Sequence, residues 1–309
     1  MKIFYKTFGF FALLALFFSI SFAKLKVIVS IDPQSYFVEQ IAKDLADVYV
    51  ITPSNKNPES YEPSISQMKN LRDGDVYFGV GIDFERRWKD RFISNARNLR
   101  FIDLLKYSEQ NGLKHYNVYG HHDHDHDEEY EDEDEGEEEH DHGHDHGHRH
   151  DSHIWLSVKY ARFQADKIAQ TLQELDPNNA PLYAKNLQAF KEQIDKLDSD
   201  IKAIFDAPNA QKTFLVYHPA FEYLSAEYGL KELSIEHHGK EAKPRHLKEL
   251  SDTIRKDKLK IVYIQPHFSK KQVELIAKSN NLKIGTLDPF AKDWANNLLE
   301  IANKIAKQK

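Results

Sequence analysis

The stretch TFLVYHPAFEYLSAEYGLKELSI (Thr213–Ile235) reads as strand, loop, helix and strand. Thr213–Tyr217 and Leu230–Ile235 are short β-rich runs, and Ala220–Tyr228 between them has a helical pattern. Two strands joined through a helix lie parallel in one sheet. The unit repeats along the chain. Downstream are Lys260–Ile264 (KIVYI) and Leu282–Leu287 (LKIGTL), with helical stretches Pro244–Lys256 and Ser269–Asn280. Upstream are Leu25–Ser30 (LKVIVS), Val48–Thr52 (VYVIT), Val76–Val80 (VYFGV) and Leu99–Asp103 (LRFID), with helical stretches such as Tyr36–Leu45 and Ser64–Leu71. The expected fold is α/β: two lobes, each a parallel sheet flanked by helices.

Between these halves no strand signal occurs from Val158 to Phe205. Leu182, Leu187, Phe190, Ile194, Leu197, Ile201 and Ile204 recur at helical spacing, and Pro181 suits a first helical turn. The pattern predicts a helix over Val158–Glu174 and a long linking helix from Pro181 to Phe205, a stiff connector unlike a Gly/Ser linker. The expected organisation is a signal peptide (1–23), an N-terminal lobe (24–178) interrupted by a disordered loop (115–152), a linking helix (179–206) and a C-terminal lobe (207–309).

The N-terminal assignment rests on Lys2 and Lys6, the apolar Phe8–Ile20 and the small-x-small triplet Ser21-Phe22-Ala23. The apolar run is short for a membrane span of ~20 residues. The chain has no cysteine, so it has no lipidated-cysteine anchor, disulfide or thiolate metal site. These features predict a soluble exported protein in the periplasm, with any metal held by His, Asp and Glu.

The interrupting loop is the most unusual stretch. Eleven histidines stand between His121 and His153 among aspartates and glutamates. Almost nothing in it is apolar, so it cannot form a packed core. Imidazole is a preferred ligand of zinc, copper and nickel. His121, His122, His124, His126, His140, His142, His144, His146, His148 and His150 are therefore candidate weak loop ligands. Sixteen acids and Arg149 give residues 121–151 a net charge of −15. The whole chain is −7; with Lys2 and Lys6 also set aside, the rest of the mature chain carries +6. That mild positive charge does not imply nucleic acid.

Four further segments carry metal-capable side chains: NPESYEP (Asn57–Pro63), DSHIWL (Asp151–Leu156), YHPAFEY (Tyr217–Tyr223) and LDPF (Leu287–Phe290). Most follow predicted strands, and parallel sheets bind ligands beyond the carboxyl ends of their strands. Two segments come from each lobe, so all four can face one cleft.

These segments resemble motifs of the metal-binding proteins of zinc and manganese ABC importers. DSHIWL is similar to that family's D-P-H-[IV]-W, and NPESYEPS to its N/D-P-H-x-Y-E-P. YHPAFEYLSAEYGL and LDPF resemble the segments carrying its third and last ligands, while IVYIQPHFSKKQVELIAK and IEHHGKEAKP resemble its C-terminal lobe. The likeness spans roughly Leu25 to Ile305, and the acidic His-rich insert resembles the zinc-specific branch. It implies an interlobe ion site with His153, His218 and Asp288 as ligands and with Glu59 where the family has histidine. A carboxylate can bind zinc directly, but this harder set also suits manganese or iron(II). The implied function is capture of Zn2+ and delivery to a membrane permease driven by a cytoplasmic ATPase, by a protein expected to be a monomer with no enzymatic activity. The alternatives are a manganese or iron(II) importer component, a periplasmic metal buffer, and a zinc hydrolase using Glu62 or Glu222 as base. The last lacks any HExxH motif. His237 and His238 read as surface residues, His267 as a cleft-edge residue, and His115 and His246 as solvated. The loop can concentrate, shuttle or sense ions.

Overall fold

The computed structural model describes residues 23–96, 98–114, 151–236 and 244–308. The signal-like segment up to Phe22, the His-rich run with its ten candidate loop ligands, His115, His237 and His238 lie outside the described residues.

The N-terminal lobe runs β1 (Leu25–Val29), α1 (Asp32–Ala42), β2 (Ala46–Val50), α2 (Ile65–Arg72), β3 (Val76–Gly79), α3 (Asp83–Asn95), β4 (Arg100–Asp103) and α4 (Leu104–Gln110). Two long helices follow, α5 (Val158–Leu175) and α6 (Ala180–Asp206). The C-terminal lobe runs β5 (Thr213–Val216), α7 (Glu222–Tyr228), β6 (Lys231–Ser234), α8 (Pro244–Lys256), β7 (Ile261–Ile264), α9 (Lys271–Ser279), β8 (Lys283–Thr286) and α10 (Trp294–Lys307).

Both sheets are wholly parallel and share one strand order, β2-β1-β3-β4 and β6-β5-β7-β8. Interior strands of such sheets are covered on both faces and read as continuous apolar runs. β3 (VYFG) and β7 (IVYI) are buried at every residue. In each lobe the order reverses beside its first strand, between β1 and β3 and between β5 and β7. That switch point is where open parallel sheets place their ligands.

Two boundaries differ instructively from the sequence reading. α1 begins at Asp32, with Pro33 in its first turn, rather than near Tyr36. α7 begins at Glu222 rather than Ala220 because the backbone N–H groups of Ala220 and Phe221 donate to the Glu232 carboxylate, which holds that segment as a loop. Helices α3, α4 and α10 are additional to those singled out above.

One continuous core joins the lobes. Phe37 of α1 meets Trp294 of α10 edge-on at 4.9 Å and Phe190 of α6 at 5.6 Å, and all three are buried. Each such ring contributes about 1.5–3 kcal/mol on burial. The linking helix is therefore embedded between the lobes along an apolar seam. A second cluster, including Leu215, Val262, Ile254 and Val273, fills the space between the C-terminal sheet and helices α8 and α9.

Candidate metal centre

Three of the anticipated ligands converge. Donor atoms of Glu59, His153 and His218 all lie within 4.8 Å of one another, the only such three-residue group of metal-capable side chains among the described residues.

Glu59 sits on a 3-10 turn, Pro58–Ser60, beyond edge strand β2. Asn57 begins the turn, its side-chain oxygen accepting from Glu59 N at 3.0 Å. The rest of this segment is tied to its own lobe. Tyr61 donates to Gln67 at 2.6 Å, and Gln67 donates to the Ile51 carbonyl at 2.6 Å.

His153 stands at the start of another 3-10 turn, Ile154–Leu156, just before α5. Although it precedes α5 in the chain, this turn is docked on the C-terminal lobe. Tyr223 donates to the Asp151 carbonyl (2.9 Å), Trp155 to the Pro289 carbonyl (2.7 Å), and Trp294 to the Trp155 carbonyl (2.6 Å). Glu227 of α7 accepts from Ser157 Oγ and Lys159 N at the start of α5. The turn is fixed by groups more than 70 residues away.

His218 lies two residues past β5, at the switch point of the C-terminal sheet. Gln265, just beyond β7, donates to its carbonyl at 2.6 Å, and the Phe268 ring stacks on its imidazole at 5.4 Å.

The hydrogen bonds form a chain of five residues. Asp151 Oδ1 faces His153 Nδ1 (2.5 Å), and His153 Nε2 faces Glu59 Oε1 (3.3 Å). Glu59 Oε1 in turn faces His218 Nε2 (2.9 Å), whose Nδ1 meets Glu236 Oε2 (2.6 Å). Carboxylates only accept, so a ring nitrogen that hydrogen-bonds one donates, and this ring of carboxylates favours the doubly protonated, cationic form of both imidazoles. Burial alone would lower the pKa of His153, but the charges and hydrogen bonds of Asp151 and Glu59 override it and push it up to about 10. Burial likewise opposes the rise at His218, which Glu236 and Glu59 lift to about 9. Burial would raise Glu59, yet the two imidazoles hold it well below the carboxylate range. Two Nε2 protons and a carboxylate thus meet at one point. Exchanging the protons for a divalent cation turns the group into an N2O ligand set whose outer nitrogens are already anchored to carboxylates.

The other anticipated residues lie elsewhere. Asp288 does not join the three; its carboxylate accepts from Phe290 N (2.9 Å) and its carbonyl from Asn297 (2.7 Å). Its charge acts on His267, whose pKa burial lowers. His267 packs against Phe290 at 5.6 Å and keeps a buried Nε2 with no hydrogen-bond partner among the described residues. Phe290 also contacts Trp155 (5.5 Å) and His153 (6.3 Å), closing one side of the site. His246 Nε2 lies 3.0 Å from the Ser234 carbonyl. Glu62 is exposed. The sequence reading passed over Asp151 and Glu236 as functional residues. Their signals are an acid two residues before His153 and an acid just past the strand that pairs with β5.

The chain as a whole is similar to known proteins. A family model described as ZnuA, zinc-uptake complex component A, periplasmic, matches residues 27–308. A crystal structure of ZnuA superposes with a TM-score of 0.77 at 32% identity, covering 92% of this chain and 98% of that one. A zinc-bound deletion variant of ZnuA gives 0.78 at 32% identity, covering 93% and 98%. A putative metal-binding protein of Chlamydia muridarum is 28% identical over 91% of this chain and 90% of its own. The manganese ABC transporter substrate-binding lipoprotein PsaA of Streptococcus mitis is 26% identical over 84% and 78%.

Proposed function

Because the chain belongs to the ZnuA family of periplasmic substrate-binding proteins of metal ABC importers, we propose that its cargo is zinc, captured one ion per chain by Glu59, His153 and His218. The convergence of those three side chains carries the reading. Two imidazole nitrogens and one carboxylate suit zinc, and each imidazole already has the outer carboxylate partner common at zinc sites. Asp288, carried over from the family resemblance, is the candidate fourth ligand, its Oδ1 accepting from Phe290 N. The protein works as a monomer without transforming its cargo, and hands it to a permease with a cytoplasmic ATPase. The histidines of the acidic run add weaker sites that raise the local ion concentration.

Manganese is the competing cargo, favoured by the carboxylate at Glu59 where the family has histidine. Competition titration of the purified protein tests the choice. Zinc should displace manganese at equimolar concentration; retention of manganese would reassign the cargo.

A further inference from the structure

We propose that Glu236 is a positioning residue for the ion: it fixes which nitrogen of His218 faces the cleft and adds a third carboxylate to the site's charge. The inference rests on His218 being a ligand, as argued above.

β5 and β6 are parallel neighbours, with Leu215 opposite Leu233 and Val216 opposite Ser234. The ladder continues past the strand ends, since Ile235 N donates to the Val216 carbonyl (3.0 Å) and Glu236 N to the Tyr217 carbonyl (2.9 Å). Glu236 is therefore carried to a fixed place beside His218. Ser234 Oγ donates to its carbonyl at 2.9 Å and holds the chain as it leaves the strand. From there its carboxylate accepts from His218 Nδ1 at 2.6 Å, with both side chains about 15% exposed.

An imidazole ring can flip about its last torsion, whose preference is broad and roughly two-fold. Stacking on Phe268 fixes the ring plane without distinguishing the two edges. Glu236 does distinguish them. An acceptor-only carboxylate requires a proton on the nitrogen it faces, so Glu236 holds the Nδ1 proton, and Nε2, which faces Glu59, is the nitrogen that gives up its proton and offers a lone pair when the ion arrives. Glu236 lies across the ring from the convergence point and is not one of the three groups that meet there. Its action on the ion is through His218. Asp151 plays the matching part for His153, so each imidazole has a private carboxylate and both share Glu59.

The test uses the whole protein with zinc for affinity and cobalt(II) as a visible probe of coordination. Losing an outer partner of this kind costs about 10–100-fold in metal affinity. Glu236→Ala should fall in that range and alter the cobalt d–d spectrum. Glu236→Gln keeps an acceptor but drops the charge, so it should lose less affinity and retain the wild-type spectrum. If Glu236→Ala does not fold, Glu236→Gln decides: weaker zinc binding at wild-type thermal stability supports the role, and unchanged binding overturns it. His218→Ala separates the two levels of the argument. If it abolishes tight binding while Glu236→Ala leaves affinity and spectrum unchanged, the positioning role is wrong and the site stands. If His218→Ala keeps tight binding, the site itself is misassigned and the positioning role falls with it.

Discussion

The two lobes share a strand order but treat their switch points in opposite ways. In the N-terminal lobe, between β1 and β3, the position is sealed around a buried carboxylate. Glu85 accepts from Ser30 Oγ, Val80 N (2.9 Å) and Gly81 N (2.7 Å), and Ser30 also bonds Tyr77 at 2.6 Å. Glu85 and Ser30 are both buried. In the C-terminal lobe, between β5 and β7, the same position presents His218 to the cleft. Fold alone therefore does not make a binding site. The N-terminal side supplies its ligands from elsewhere, Glu59 from beyond an edge strand and His153 from a turn clamped onto the opposite lobe. The ligand segments therefore reach the cleft by different routes.

The largest test of this contrast exchanges residues at the functional side. His153→Ala or His218→Ala should remove the tight zinc event, a loss beyond the roughly 100-fold that an outer partner costs. His246→Ala should leave it intact. Calorimetric titration of the three variants checks this, and equal losses in all would dissolve the distinction between cleft and surface histidines.

The next effect is the pH dependence of binding. Both cleft imidazoles are charged in the ion-free protein, with pKa values of about 10 and 9. Zinc must displace both protons, whereas Glu59 is already ionised. Below pH ~9 the affinity should therefore rise by up to about 100-fold per pH unit, ten per proton released. Titrations in buffers of different ionisation enthalpy count the protons; none released at pH 7 would contradict the cationic pairing.

The sealed side should answer differently. Burial raises Glu85 to about 7, against its hydrogen bonds to Ser30 and the two backbone amides. A carboxyl whose folded pKa lies above its unfolded value of 4.5 favours the folded state most below pH 4.5. That contribution declines as pH rises through about 7. Glu85→Gln should flatten this part of the stability–pH curve. Glu85→Ala strands buried donors at about 1–3 kcal/mol each, enough to lower Tm by roughly 5 °C or more. Neither variant should change the zinc affinity of folded protein. A large affinity loss would mean that the sealed point reaches the site after all.

Much of this was legible in the chain. Alternating β-rich and helical runs are local, and they foretold both sheets, the parallel connection and the linking helix over Ala180–Asp206. Glu59, His153 and His218 stood out because their segments resemble the ligand motifs of the metal-binding proteins of zinc and manganese ABC importers. What stayed hidden depends on distant contacts. Trp155 and Pro289 are 134 residues apart, and no periodicity reports that bond. Glu236 was overshadowed by His237 and His238, and only the register of β6 against β5 brings it to His218. Asp288 has the right residue type, and one of its carboxylate oxygens accepts from Phe290 N within its own loop.

A smaller effect concerns selectivity. Glu59→His would give three imidazoles and should shift preference toward zinc over manganese by about tenfold, an order-of-magnitude expectation from ligand softness. Competition titration reads it, and an unchanged ratio would indicate that Glu59 does not touch the ion.

The central claim is that cargo is held between the lobes by Glu59, His153 and His218, apart from the histidine run. X-ray absorption on zinc-loaded protein lacking residues 121–150 tests it most directly. The account predicts one tightly bound zinc per chain, in a nitrogen and oxygen shell at ~2.0–2.2 Å containing two imidazoles. Loss of the tight ion on deletion, or a shell of three or more imidazoles, would contradict it.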